Sequence, residues 1–185
     1  IHMLSDPGFL KTMTKQVVAY TGLPETWFPG KKVLDAGCGN GRWSYALSRL
    51  GADVTAVDQS KHGLETARRQ CAEFPSFSAI QTNLLDPLPF ENGTFDLVWS
   101  FGVLHHTGDT NKGFSHIAPL VKPGGRIFLM LYGEPEKTGH YTEVNTYVEH
   151  RRATSAMTFE EKKRYCEKLF PKSEVQAWFD AISPR

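Results

Sequence analysis

From Lys32 to Tyr132, short apolar runs alternate with stretches of helical periodicity, and this alternation fixes the class of fold available to the chain. Val33-Leu34, Val54, Ala56-Val57, Leu97-Val98 and Ile127-Phe128-Leu129 are continuous runs of the kind that strands buried on both faces require. The pattern predicts strands over 32–36, 53–57, 77–82, 94–100 and 126–132. Helices are predicted over 41–50, 62–73 and 111–120. A leading helix over 6–20 carries Phe9, Leu10, Met13, Val17 and Val18 at helical spacing, and Gly22 and Pro24 end it. Strands separated by helices in this way form right-handed crossovers. The expected fold is therefore α/β, a doubly wound and mostly parallel sheet with helices on both faces.

Composition narrows the classes of function. The chain has 185 residues, enough for one sizeable core, and a formal net charge of +1. A general nucleic-acid or membrane-surface binder carries a large excess of one sign, and this chain does not. Arg151-Arg152 and Lys162-Lys163-Arg164 are interleaved with Glu149, Glu160, Glu161 and Glu167, as on a solvated helix face. Cys38, Cys71 and Cys166 lack the spacing of a disulfide framework or a zinc site, so reduced thiols, no metal and a cytoplasmic setting are expected. No apolar run has the length of a membrane span, and no signal peptide is read at the start. Ile1-His2-Met3 resembles an expression-tag remnant and is set aside.

The chemistry is concentrated where the first strand meets its helix, in Val33-Leu34-Asp35-Ala36-Gly37-Cys38-Gly39-Asn40-Gly41. Ligands of open parallel sheets bind beyond the carboxyl ends of the strands. Glycine there lets the backbone turn sharply and approach a ligand, and the helix that follows offers free N–H groups. A dinucleotide fingerprint would need glycine where Arg42 stands, and the Gly-Lys-Ser/Thr ending of a P-loop is absent.

The pattern D-x-G-C-G-x-G instead resembles motif I of the class I S-adenosylmethionine-dependent methyltransferases. The likeness runs from about Gly30 to Leu131, and the chain is similar to the ubiquinone and menaquinone biosynthesis branch. It implies a Rossmann-like fold, S-adenosylmethionine as cofactor with S-adenosylhomocysteine as product, and a cofactor loop of Asp35, Ala36, Gly37, Cys38, Gly39 and Gly41. Asp58, followed by Gln59, stands where the family binds the ribose hydroxyls, and a carboxylate can accept from both hydroxyls of a diol. Asn83-Leu84 stands where an acidic residue usually meets adenine. Asn83 departs from that pattern, and an Asx-turn is the competing reading. The segment 88–100, Leu88 to Ser100, resembles the family's entry into its fourth strand. Ser100 and Phe101 are then expected to line the methionine end of the cofactor. His105 and His106 follow near the substrate opening, as a general base or as residues that shape the site. Lys122-Pro123-Gly124-Gly125 matches the family's turn before the fifth strand.

The expected domains are a cofactor-binding domain over 4–132 and a helical segment over 133–185. In the latter, a helix is expected around 141–150. Thr158 and Glu161 fit a capping box for a second helix to about Phe170, and Ser173 opens a last one through Trp178 and Phe179. The family's C-terminal β-hairpin is apparently missing, as though the chain were cut short. The fifth strand would then be an open edge, and a homodimer through that edge or the C-terminal segment is expected. The leading reading is a methyltransferase with a small-molecule acceptor. A cofactor-binding module without transferase activity is the alternative.

Overall fold

The computed structural model describes residues 7–132, 149–150 and 152–169. The chain divides into two compact units, 1–132 and 133–185. In the first, α1 (Pro7–Thr21) and a 3-10 turn (Glu25–Trp27) lead into β1 (Lys32–Ala36). Then come α2 (Arg42–Arg49), β2 (Asp53–Asp58), α3 (Lys61–Gln70), β3 (Ser78–Gln81) and β4 (Phe95–Phe101). After a 3-10 turn (Leu104–His106) the unit closes with α4 (Thr110–Ile117), a further 3-10 turn (Ala118–Leu120) and β5 (Val121–Met130). The five strands form one parallel sheet in the order β3-β2-β1-β4-β5. This is the expected doubly wound, Rossmann-like architecture. The order reverses between β1 and β4, which opens a crevice at their carboxyl ends.

Side-chain alternation divides the core between the two faces of the sheet. Val33, Val54, Leu97 and Trp99 pack with Met13 and Val17 of α1 and Trp43, Ala46 and Leu47 of α2. Leu34, Ala36, Val57 and Val98 pack on the other face with Leu104, Ile117 of α4 and Leu120. The sheet is therefore covered on both sides, as a parallel sheet must be.

The helices expected over 62–73 and 111–120 end at Gln70 and Ile117, and the last strand differs in both its start and its end. Lys122-Pro123-Gly124-Gly125 is not a turn ahead of β5 but an irregularity inside it. Phe95 pairs with Val121, and the next register is Leu97 with Arg126. Gly124 takes a φ of 77°, and the strand ends at Met130 instead of Tyr132. Pro123 donates no backbone bond, so the ladder breaks there and resumes.

In the second unit, α5 (Phe159–Leu169) starts from the expected capping box. Thr158 N–H and Oγ1 lie 2.8 and 2.7 Å from Glu161 Oε2, and Glu161 N–H donates back to Thr158 Oγ1 at 3.4 Å. His150 Nδ1 lies 2.9 Å from the Tyr165 hydroxyl. Of the helix expected around 141–150 only Glu149–His150 is described, and it is helical. The last expected helix and the question of the hairpin lie outside the described residues. None of the described helices is long and apolar enough to cross a membrane.

Candidate functional site

The loop after β1 is built from backbone bonds to the end of β2. Gly37 and Cys38 N–H both donate to the Val57 carbonyl, at 2.8 and 3.0 Å. Gly39 N–H donates to Asp58 Oδ2 and Ser60 N–H to Asp58 Oδ1, each at 2.8 Å. Asp58 thus joins the glycine loop to the start of α3 while keeping lone pairs free for a further donor.

The three glycines have different tasks. A Cβ at Gly37, where φ is 87°, would collide with the side chain of Val103. At Gly41, also at 87°, it would lie 2.7 Å from the Ala67 Cα, so this glycine lets α2 and α3 approach. At Gly39, with φ 54°, nothing lies within 4 Å, and the backbone faces open space. Only the last leaves a bare backbone for a ligand to approach.

Two cavities flank this loop. The first, about 150 Å³, is lined by Gly37, Asp58, Gln59, Asn83, Leu84 and His106, among others. The second, about 360 Å³, is lined by Phe9, Cys38, Gly39, Arg42, Trp43 and Phe101, among others. Gly37 and Val103 line both, so the cavities adjoin there. The floor of the first is held by two tethers: His116 Nδ1 donates to the Leu84 carbonyl, and Gln81 Nε2 to the Gln59 carbonyl, each at 3.0 Å.

Of the residues singled out in the sequence, Gly37, Cys38, Gly39, Asp58, Gln59, Asn83, Leu84, Phe101 and His106 line one or both cavities. Asp35, Ala36, Gly41, Ser100 and His105 do not. Ser100 is buried and its hydroxyl donates to the Ala36 carbonyl at 3.0 Å, tying β4 to β1 behind the site. Its placement differs from the expected lining role because its side chain is spent on that tie. Asp35 is likewise buried, accepting from Ser44 Oγ of α2 at 2.6 Å. Burial raises its pKa to about 7; the Ser44 bond opposes the shift, and the charge of Asp58 adds to it. Asn83 Oδ1 accepts from Leu85 N–H at 3.0 Å, the Asx-turn geometry that was the competing reading.

Burial, then the charges of Asp35 and Asp58, pushes Cys38 well above the ordinary thiol range, and burial pushes Cys71 up to about 12. The His105 ring lies against those of His106 and Tyr132 in tilted arrangements, with ring centroids 4.0 and 4.1 Å away. Neither of its ring nitrogens has a hydrogen-bond partner among the described residues. Burial and then the neighbouring His106 lower its pKa, which favours the neutral ring. Among the described residues no cluster of His, Cys, Asp and Glu is arranged to hold a metal.

Sequence reasoning gave no site role to Val103, Arg42, Trp43 or Phe9. For Arg42 and Trp43 a signal existed, since they directly follow the glycine loop. Phe9 comes from α1, far away in the chain, and nothing local marks it.

A family model for the methyltransferase domain matches residues 34–129, from β1 to β5 and across both cavities. The chain belongs to the methyltransferase-domain family. The cofactor of this class of methyltransferase domain is S-adenosylmethionine. The residues present fit it: a carboxylate free to accept from a diol, bare backbone at Gly39, and apolar walls at Leu84 and Val103. Among curated proteins the domain is similar to the ubiquinone biosynthesis O-methyltransferase of Vibrio parahaemolyticus. The two are 39% identical over 100 residues, covering 54% of this chain and 43% of that protein. The chain spans less than half the length of the curated relatives it matches first. In fold it is similar to the mmp1179 protein of Methanococcus maripaludis, with TM-score 0.55 and 21% identity, covering 91% of this chain and 72% of that one. The trans-methyltransferase CalH, solved in complex with SAH, shares the fold at TM-score 0.51 and 21% identity, over 56% of this chain and 32% of that one.

Proposed function

We propose that this chain transfers a methyl group from S-adenosylmethionine to a small-molecule acceptor. The observation that carries this reading is the pair of adjoining cavities at the carboxyl ends of β1 and β2, with Asp58 in one and the bare glycine backbone beside the other. In this reading the ribose hydroxyls donate to Asp58, the adenine lies against Leu84 of the 82–85 turn, and the amino-acid end continues past Gly37 and Val103. Bound there, the cofactor supplies a methyl group activated on a sulfonium. The chain's own tasks are to align the acceptor, exclude water and take up a proton where the acceptor carries one. His106 lines the first cavity, and the His105 ring lies against it with neither nitrogen hydrogen-bonded among the described residues. These two are the candidate proton acceptors. The near-neutral charge and the small-molecule O-methyltransferase relative support a small acceptor. The same reading includes pairing of two copies along β5, an outer strand of the sheet among the described residues, where Ile127 is 39% exposed.

Calorimetric titration with S-adenosylmethionine and S-adenosylhomocysteine tests the cofactor assignment. Saturable binding is expected in the wild-type protein, and Asp58→Ala is expected to lose it. Absence of binding to the wild-type chain would sink the proposal.

A further inference from the structure

The 82–85 turn beside the first cavity has its acceptors engaged and its donors free. Asn83 Oδ1 accepts from Leu85 N–H, the Asn83 carbonyl from Asp86 N–H and the Leu84 carbonyl from His116 Nδ1, each at 3.0 Å. Rotating the Asn83 amide would set its Nδ2 against Leu85 N–H, donor against donor, so the amide is held with its oxygen in the turn. Neither Asn83 Nδ2 nor the Leu84 N–H has an acceptor among the described residues. Both residues line the cavity. Thr82 N–H donates to the Asp58 carbonyl at 3.0 Å and joins their turn to the end of β2. What the turn offers a ligand is therefore a pair of donors.

A purine edge carries both kinds of group. In adenine the exocyclic amino group donates, and the ring nitrogens beside it accept. A carboxylate in place of Asn83 would accept from the amino group. The carboxamide, with its oxygen held by Leu85 N–H, has only a donor left for the base. Asp86, the next acid in the chain, does not line the cavity. We propose that Asn83 meets the cofactor's base as a donor to a ring nitrogen and leaves the amino group unread, an assignment that rests on the cofactor reading above. Asn83 then does not distinguish a purine that carries the amino group from one that lacks it.

The test compares S-adenosylhomocysteine with its 6-deamino analogue, which keeps every ring nitrogen and loses only the amino group. Calorimetry is run on wild type, Asn83→Ser and Asn83→Asp. Both substitutions keep an oxygen for Leu85 N–H, and unchanged melting temperatures in the ligand-free variants separate a lost contact from a lost fold. Asn83→Ser removes the amide donor and is expected to weaken both ligands in parallel, roughly three- to tenfold, the loss of one neutral hydrogen bond. The ratio of the two dissociation constants then stays within about twofold of wild type. Asn83→Asp sets a carboxylate oxygen in place of Nδ2 and is expected to shift that ratio roughly tenfold or more towards the ligand with the amino group. A ratio that moves against that ligand in Asn83→Ser shows that Asn83 accepts from the amino group, and overturns the assignment. Wild-type affinity for both ligands in Asn83→Ser overturns it too, as does an unshifted ratio in Asn83→Asp. Wild-type protein that binds neither ligand removes the cofactor reading itself.

Discussion

At the scale of single residues, Gly37 and Gly41 share one φ but meet different obstacles. At Gly37 the obstacle is the Val103 side chain, which a shorter residue removes; at Gly41 it is the α3 backbone at Ala67. Gly37→Ala is therefore expected to cost roughly 2–4 kcal/mol, from left-handed strain plus overpacking. In a Val103→Ala background the overpacking part should disappear, leaving a penalty of about 1–2 kcal/mol in urea melts. Equal penalties in both backgrounds would show that Val103 is not the obstacle. Asp35 gives a pH prediction. Its folded pKa, about 7, lies above the ordinary 3.8, so the folded state holds a proton that the unfolded chain has released. Its contribution to stability is complete below about pH 4 and is lost as pH rises towards 7, on the order of 4 kcal/mol in all. Asp35→Asn removes this loss. The stability of wild type relative to the variant should fall between about pH 4 and pH 7, and a flat difference would contradict the assignment. The positions of Asp35 and Ser100 show what the motif left unread. The motif marks both as near the cofactor, but strand alternation sets Asp35 on the face of Val33, under α2, and it finds Ser44 there. Alternation was readable in the sequence; the partner on α2 was not, because it depends on how the helix packs.

At the scale of elements, the helix starts carry defined bonds. Asp109 accepts from Lys112 N–H at 2.9 Å and caps α4, and Ser60 accepts from Gly63 N–H at 3.1 Å and caps α3. Asp109→Ala is expected to cost about 1 kcal/mol in a denaturant melt. In the second unit, Thr158→Ala should fray the first turn of α5, seen as faster amide exchange at 160–162. The boundaries of β1, β2 and β4 were legible to within one residue, because strands buried on both faces must be continuous apolar runs. The start of β5 was not, since Pro-Gly-Gly reads as a turn and only pairing across space shows the strand resuming. Asp96 fastens that irregular stretch. It accepts from Lys122 Nζ and from Lys32 N–H, both at 2.9 Å, joining β5 and β1 to β4 at the end of the sheet away from the cavities. Burial works to raise its pKa, but the Lys122 and Lys32 bonds outweigh this and hold the carboxyl below its usual range.

At the scale of the whole molecule, β5 is an outer strand of the sheet among the described residues, with Ile127 in it and Leu131 just past its end 39% and 42% exposed. If two copies pair there, light scattering should give a dimer mass. Ile127→Glu should shift the mass towards monomer without changing S-adenosylhomocysteine affinity. A monomeric mass in wild type at all concentrations would remove the pairing.

The strand order also has a consequence for how the chain is made. β1 meets β2 about twenty residues later, but its other neighbour is β4, and the Lys32–Asp96 and Ala36–Ser100 bonds each join residues 64 apart. A ribosome adding about 5–20 residues per second takes several seconds to cover that distance. Throughout that interval β1, β2 and β3 can pair with one another while the far edge of β1, carrying Val33 and Leu34, has no neighbour. A nascent chain stalled between Gln81 and Phe95 would present an apolar open edge, the kind of surface that chaperones bind and that aggregation exploits.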